Sequence, residues 1–202
     1  MKTQTKADLI QAAATMNKYH RRMQLTLAPL EADMNFALDH LRSDQKYQQF
    51  WRRTLIRCLL AYTEALLWNL KHGIPTIASI SGIELSSREL EIIEEKRAIE
   101  VKGQIEFRPN FPKFRDNLKQ TFSLFGRVHG TNFNVNCTLD FDALCETYGL
   151  RSRLMHPKEP MDPDVSDLNM AASQAGIKWL SSESHRLIDE CLQSFPNITK
   201  SK

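Results

Sequence analysis

"LIRCLLAYTEALLWNL", residues 55–70, is the most apolar run of the chain, and its reading decides the class of fold the rest must join. It is shorter than the ~20 residues that cross a bilayer, and Arg57 and Glu64 interrupt it. Together with Phe50 and Trp51, the residues Leu55, Cys58, Leu59, Tyr62, Leu66 and Leu70 recur at three- and four-residue steps and give a wide apolar face. That is the pattern of a helix at the centre of a packed core. Asp44 is placed to cap it, Lys71 to end it and Gly73 to stop it. Glu64 within this run has three open readings: paired with an arginine, turned to solvent, or set near a catalytic site.

On the N-terminal side, residues 5–42 read as helix interrupted near Pro29, with Leu30, Met34, Ala37, Leu38 and Leu41 on one stripe. On the C-terminal side, "GIPTIASISGIELSS" (73–87) reads as a loop, and Ser86 or Ser87 can cap the charged helix "RELEIIEEKRAIE". "AIEVKGQIEFR" (98–108) alternates around Gly103 and predicts a short hairpin. After Pro109, Asn110 and Pro112, the segment "KFRDNLKQTFSLFGRV" places Phe114, Leu118, Phe122 and Phe125 at helical spacing. Asp140 can cap "FDALCETYGLRSRLM". Ser166 can cap a last helix carrying Leu168, Ala172, Ala175, Trp179, Leu187 and Leu192, and "SFPNITKSK" reads as a frayed tail. Nothing requires a large sheet, so the expectation is an all-α bundle with one short β-hairpin. Trp51, Leu59, Leu66, Phe122, Leu144, Leu168 and Trp179 are its expected core.

Composition narrows the function classes. The 202 residues suffice for one domain, or one domain with an extension, and for a core without staples. Net charge is only +3, so affinity for nucleic acid must come from a local patch. Cys58, Cys137, Cys145 and Cys191 form no C-x-x-C pair and no zinc spacing, which suits free thiols in a reducing compartment. The N-terminus lacks the apolar core of a signal peptide, so a cytoplasmic protein without a membrane span is expected, and the sequons at Asn136 and Asn197 are read as silent. With seven glycines and no P-loop, dinucleotide or nucleophile-elbow motif, glycine-rich phosphate chemistry is excluded. No metal and no cofactor is expected. His185 with Asp189, "HRR" (20–22) and "WRR" (51–53) read as solvated faces.

"GLRSRLMHPKEPMDP" (149–163) carries what chemistry remains. Five residues along a straight helix rotate by about 500°, which leaves Arg151 and His156 roughly 140° apart. Pro157 disfavours helical geometry at His156, so the helix should stop near Met155 and let the imidazole fold back toward Arg151. A near-neutral imidazole can move a proton from a ribose 2′-OH or to a leaving 5′-oxygen. A guanidinium can hold the phosphate and offset its developing charge. Arginine and histidine are also simply favoured at helix C-termini by the macrodipole, and the pattern by itself does not choose.

"LRSRLMHPK" followed by "VSDLNMAASQAGIKWL" resembles the signature of HEPN domains (higher eukaryotes and prokaryotes nucleotide-binding), whose motif is an arginine late in one helix and a histidine at its end, here Arg151 and His156. "CLLAYTEALLWNLKHG" resembles the early core helix of that family, with Glu64 at a commonly polar position. "ELSSRELEIIEEKRAIEVKGQIEFRPNFPKFRDNLKQTFSLFGR" is similar to the middle of a bacterial HEPN-like group. The likeness covers residues 48–193. It implies a HEPN-like bundle over 46–195; it does not account for the first 45 residues, which are read as an N-terminal helical extension over 1–45, and residues 196–202 are read as a disordered tail. It also implies metal-independent endoribonuclease activity, with Arg151 and His156 catalytic, Glu64 and Ser152 supporting, and Arg153 and Lys158 contacting RNA. The usual assembly is a homodimer whose paired Arg/His sets line one cleft, acting as a toxin or phage-defence effector, in some cases with an antitoxin protein. Other members are non-catalytic RNA-, nucleotide- or protein-binding modules. Ser152 departs from the Asn, Asp or His that usually follows the motif arginine in the active ribonucleases.

Overall fold

The computed structural model describes residues 6–101 and 104–198. Among them are seven helices and one hairpin, in the order α1 (Lys6–Ser43), α2 (Gln48–Ser81), α3 (Ser87–Glu94), β1 (Lys96–Val101), β2 (Gln104–Pro109), α4 (Phe114–Val128), α5 (Leu139–Gly149), α6 (Arg151–Met155) and α7 (Asp167–Ile198). The all-α architecture with one small antiparallel hairpin is as the periodicity predicted. No helix among the described residues is long and apolar enough to cross a membrane.

The chain forms two compact units. The first takes Leu67–Val135 with the chain up to Arg21 and from His185 onward; the second takes Arg22–Leu66 and Asn136–Ser184. Boundaries fall inside α1, α2 and α7, and α1, which lies within the expected N-terminal helical extension over 1–45, is divided between the two units.

Two expected interruptions are absent. Pro29 lies within α1, on its exposed side. The carbonyl of Leu25 that loses its amide partner belongs to a residue that is also exposed, so water can meet it, while Met23, Leu27 and Ala37 keep the buried stripe intact. Gly73 does not stop α2, because Ile74, Ile77 and Ala78 continue the buried stripe to Ser81. The stop is the next glycine. Gly82 has φ 66°, its N–H donates to Ser79 O, and the Ile83 N–H donates to Ala78 O at 2.8 Å, a paired closure that uses up the last carbonyls. Gly73 instead makes room for the Tyr19 ring: a Cβ there would lie 2.3 Å from Tyr19 Cζ.

Ser86 caps α3 as predicted, with Glu89 reaching back in a capping box. Ser166 caps α7, accepting the Asn169 N–H at 3.2 Å. Thr138, not Asp140, caps α5, its hydroxyl accepting the Phe141 N–H. Within the first unit, Phe122, Phe125 and Phe133 are buried together with Leu187 and Cys191. Within the second, Ala37, Leu55, Ile56, Leu60, Leu150, Leu154, Val165 and Met170 form one cluster, and Gly176 lets α7 approach α5 so closely that a Cβ would stand 2.9 Å from Leu144 Cα.

Of the expected core, Leu59, Leu66, Phe122, Leu144 and Trp179 are buried. Trp51 is only half-buried, since its indole N–H reaches out to Asp44 at 3.1 Å. Leu168 is 81% exposed. The buried stripe of α7 runs instead through Met170, Ser173, Gly176, Leu180, Glu183 and Leu187, and small residues take the tightest positions, which a search for large apolar side chains misses. The expected tail is helical to Ile198, while residues 1–5 and 199–202 lie outside the described residues.

Gly73→Ala should destabilise the protein by about 1–3 kcal/mol in urea unfolding, the cost of overpacking against a buried ring. Stabilisation, the usual result of Gly→Ala in a helix, would show that Tyr19 moves aside. A second expectation concerns acid. His129 is buried, and its Nδ1 is 2.8 Å from the Phe125 carbonyl. Burial holds its pKa below the usual histidine range, with His20 adding to the effect and the carbonyl bond opposing it. The unfolded chain therefore takes up this proton first. Stability should be level above about pH 6.5 and fall as pH drops below it. His129→Gln should show a smaller loss of urea stability between pH 7 and pH 5 than the parent protein.

Candidate functional site

The segment from Tyr148 to Asp167 is laid along one face of α2. Helix α5 ends at Gly149, and the Leu150 N–H turns back to Thr147 O at 3.0 Å. The five residues of α6 follow, and the His156 N–H closes on Ser152 O at 2.9 Å. His156 itself leaves helical geometry at φ −137°, ψ 64°, ahead of Pro157 as expected. The break at Leu150 is not visible in the apolar pattern. It turns Leu150 and Leu154, four residues apart, into the cluster with Leu55, Ile56 and Leu60. Arg151, Ser152, Met155 and His156 are thereby left exposed.

The irregular backbone is satisfied by polar side chains of α2. Gln49 both donates to Val165 O and accepts from Val165 N–H, each at 3.0 Å. Arg52 donates to Val165 O at 2.9 Å and pairs with Asp167, and Arg57 donates to Leu154 O at 2.8 Å near the end of α6. Arg52 of "WRR" is therefore neither a solvated cation nor a phosphate ligand; it clamps the start of α7.

Glu64 resolves toward the first of its three readings. Its Oε1 accepts Arg151 Nε at 2.8 Å and the Tyr148 hydroxyl at 3.0 Å. The side chains are 50% exposed for Arg151 and 42% for Glu64. At that exposure the pair contributes at most about 1 kcal/mol to stability and chiefly orients the guanidinium. The Nε edge of Arg151 is occupied, and its two terminal nitrogens meet no other carboxylate or carbonyl among the described residues.

His156 is not joined to Arg151. No hydrogen bond, ion pair or ring contact involves its imidazole among the described residues, and the backbone closure to Ser152 O is what fixes its position. Ser152 contributes that carbonyl. Arg153 is half-buried and Lys158 exposed, and both lie in the field of Asp162. Asp162 accepts the N–H groups of Lys158 and Glu159 at 2.7 and 2.9 Å. These two bonds, aided by the charges of Arg153 and Lys158, hold its carboxyl below the usual aspartate range. Asp162 therefore offsets part of the positive charge expected to meet RNA.

The structure thus brings Arg151, Glu64 and Tyr148 together and leaves His156, Arg153 and Lys158 on the same short segment with no hydrogen bond or ion pair to them among the described residues. Tyr148 and Asp162 were missed in the sequence. Tyr148 sits three residues before Arg151, a same-face spacing that a search for Arg/His pairs does not use. Among the described residues no group of three or more His, Cys, Asp or Glu side chains is placed to hold a metal ion. Comparison with protein-family models, with curated proteins and with solved structures found no match.

The clamp and the Glu64 pair should differ in weight. Arg52→Ala leaves the Val165 carbonyl without its charged donor and should cost about 1–3 kcal/mol in urea unfolding. Glu64→Ala should stay within about 1 kcal/mol.

Proposed function

We infer that the exposed face of α6 is a phosphate-handling site, and that the protein is a metal-independent endoribonuclease of HEPN type in the cytoplasm, with RNA as its substrate. The observation that carries this reading is the fixed Arg151. Its guanidinium is held through Nε by Glu64 at 2.8 Å, itself held by Tyr148, on a helix anchored from behind by Leu150 and Leu154. The terminal nitrogens are then available to a phosphate in a bidentate geometry. His156, exposed at the end of the same helix, supplies the proton transfer. In the reaction, the ribose 2′-oxygen attacks the neighbouring phosphorus and gives up its proton. The bond from phosphorus to the 5′-oxygen breaks, and the 5′-oxygen takes a proton. The products are a 2′,3′-cyclic phosphate and a 5′-hydroxyl. A homodimer with the 149–157 segments of two copies about one twofold axis would supply a second imidazole for the other proton. Such an enzyme suits a toxin or phage-defence role, held in check by an antitoxin protein.

A second reading, a non-catalytic RNA- or nucleotide-binding module or protein-interaction module, is favoured by one specific observation. No hydrogen bond or ion pair joins His156 to Arg151 among the described residues, and the side chain of Ser152 makes no hydrogen bond that would link them. Binding does not separate the two, and turnover does. The parent protein should cleave RNA in excess EDTA, and His156→Ala, shown folded by circular dichroism, should lose turnover while keeping RNA affinity. Arg151→Ala should weaken both. Equal cleavage by the parent and His156→Ala would remove His156 from the mechanism, and binding without cleavage across several RNA classes would favour the second reading.

A further inference from the structure

All six residues of β2 are exposed, among them Ile105 at 71% and Phe107 at 68%. A lone two-stranded hairpin is marginal in water, and an uncovered edge with large apolar side chains is a surface waiting to be paired.

The backbone shows which groups face outward. The Asn110 N–H donates to Glu95 O at 2.7 Å, which marks residues 95 and 110 as a hydrogen-bonded pair. Alternation along the antiparallel ladder then makes 97 with 108, 99 with 106 and 101 with 104 hydrogen-bonded pairs. Ile105, Phe107 and Pro109 belong to the other set. Their backbone groups point away from β1, and their side chains share one face. The two-strand sheet has no third strand among the described residues, so the outward N–H groups of Ile105 and Phe107 have no partner strand.

We propose that β2 is the docking edge for a second copy of this chain, two β2 strands pairing antiparallel about a twofold axis at Phe107 to make a four-stranded sheet. Charge selects this partner and this register. With Phe107 opposite itself, Glu106 of each copy stands opposite Arg108 of the other, and Ile105 stands opposite Pro109. Shifting the pairing one way sets Glu106 against Glu106, and shifting it the other way sets Arg108 against Arg108, each a like-charge clash directly across the ladder. The strand is thus complementary to itself in one register. Pro109 has no N–H to give, but in this register its carbonyl accepts the Ile105 N–H of the other copy, so four backbone hydrogen bonds cross the axis. Phe107 meets its own copy on the apolar face. Within one chain Arg108 is 3.2 Å from Glu106, and this exposed pair is free to exchange partners across the axis. The edge alone buries little area, so the association should depend on concentration.

The test uses the full chain. Sedimentation velocity over a concentration series should show the parent protein associating, and Phe107→Pro should remove that step, because it deletes an outward N–H that the hairpin's own ladder does not use. Glu106→Arg should weaken association, and the double exchange Glu106→Arg with Arg108→Glu should restore it, which a merely structural role would not do. Phe107→Cys should cross-link to itself on oxidation, since paired Cα atoms about 5.5 Å apart suit a disulfide, whereas Ile105→Cys should not. A parent protein that stays monomeric, or a mass that Phe107→Pro leaves unchanged, would overturn the proposal. The second outcome would assign any dimer to another surface, such as the 149–157 segment, and leave the proposed RNA chemistry untouched.

Discussion

The arrangement of the candidate site depends on one packing event, the insertion of Leu150 and Leu154 into the apolar face of α2 beside Leu55, Ile56 and Leu60. Burying two leucines is worth about 3–6 kcal/mol, enough to hold a five-residue helix that has too few internal hydrogen bonds to persist alone. The cost is a chain that must leave α5, turn at Leu150 and leave helix again at His156, with carbonyls that no helix satisfies. Gln49, Arg52 and Arg57 meet those at Val165 and Leu154 from the polar flank of the same α2 surface. Apolar and polar positions of one helix therefore act together, and neither set would fix the segment without the other.

That division of labour determines what faces outward. Once Leu150 and Leu154 point in, Arg151, Ser152 and His156 have no alternative to exposure. Glu64 then converts a flexible arginine into an oriented one, with little consequence for stability because water screens the pair. Asp162 works in the opposite sense. By folding the 158–162 loop onto its carboxylate it sets a negative charge beside Arg153 and Lys158.

The breaks in the helices show how context overrides local preference. Pro29 in α1 and Gly73 and Pro75 in α2 are the strongest interruption signals, and none interrupts. Pro29 disturbs only a solvated face. Gly73 is needed for its missing side chain, which leaves space for the Tyr19 ring. Gly82 ends α2 because its positive φ allows both closing hydrogen bonds to form. Leu168 and Gly176 make the same point in α7. The large apolar residue is outside and the glycine is inside, because α5 comes too close for anything larger.

What the sequence by itself determined is periodic and local. Three-four spacing of apolar residues gives helices in the right places, alternation about Gly103 gives the hairpin, Ser86 and Ser166 give two caps, and Pro157 ends α6. Each follows from residues within a turn or two of one another, where backbone geometry and short-range hydrogen bonds decide. Tertiary structure decided the rest: which glycine stops α2, where α5 and α6 part, that Glu64 meets Arg151 and Tyr148, that Arg52 is a clamp, and that no hydrogen bond joins His156 to Arg151. Most of these depend on residues far apart in the chain, as Tyr148 and Glu64 are at a separation of 84, and the encounters at the site are fixed by the packing of leucines that carry no chemistry of their own.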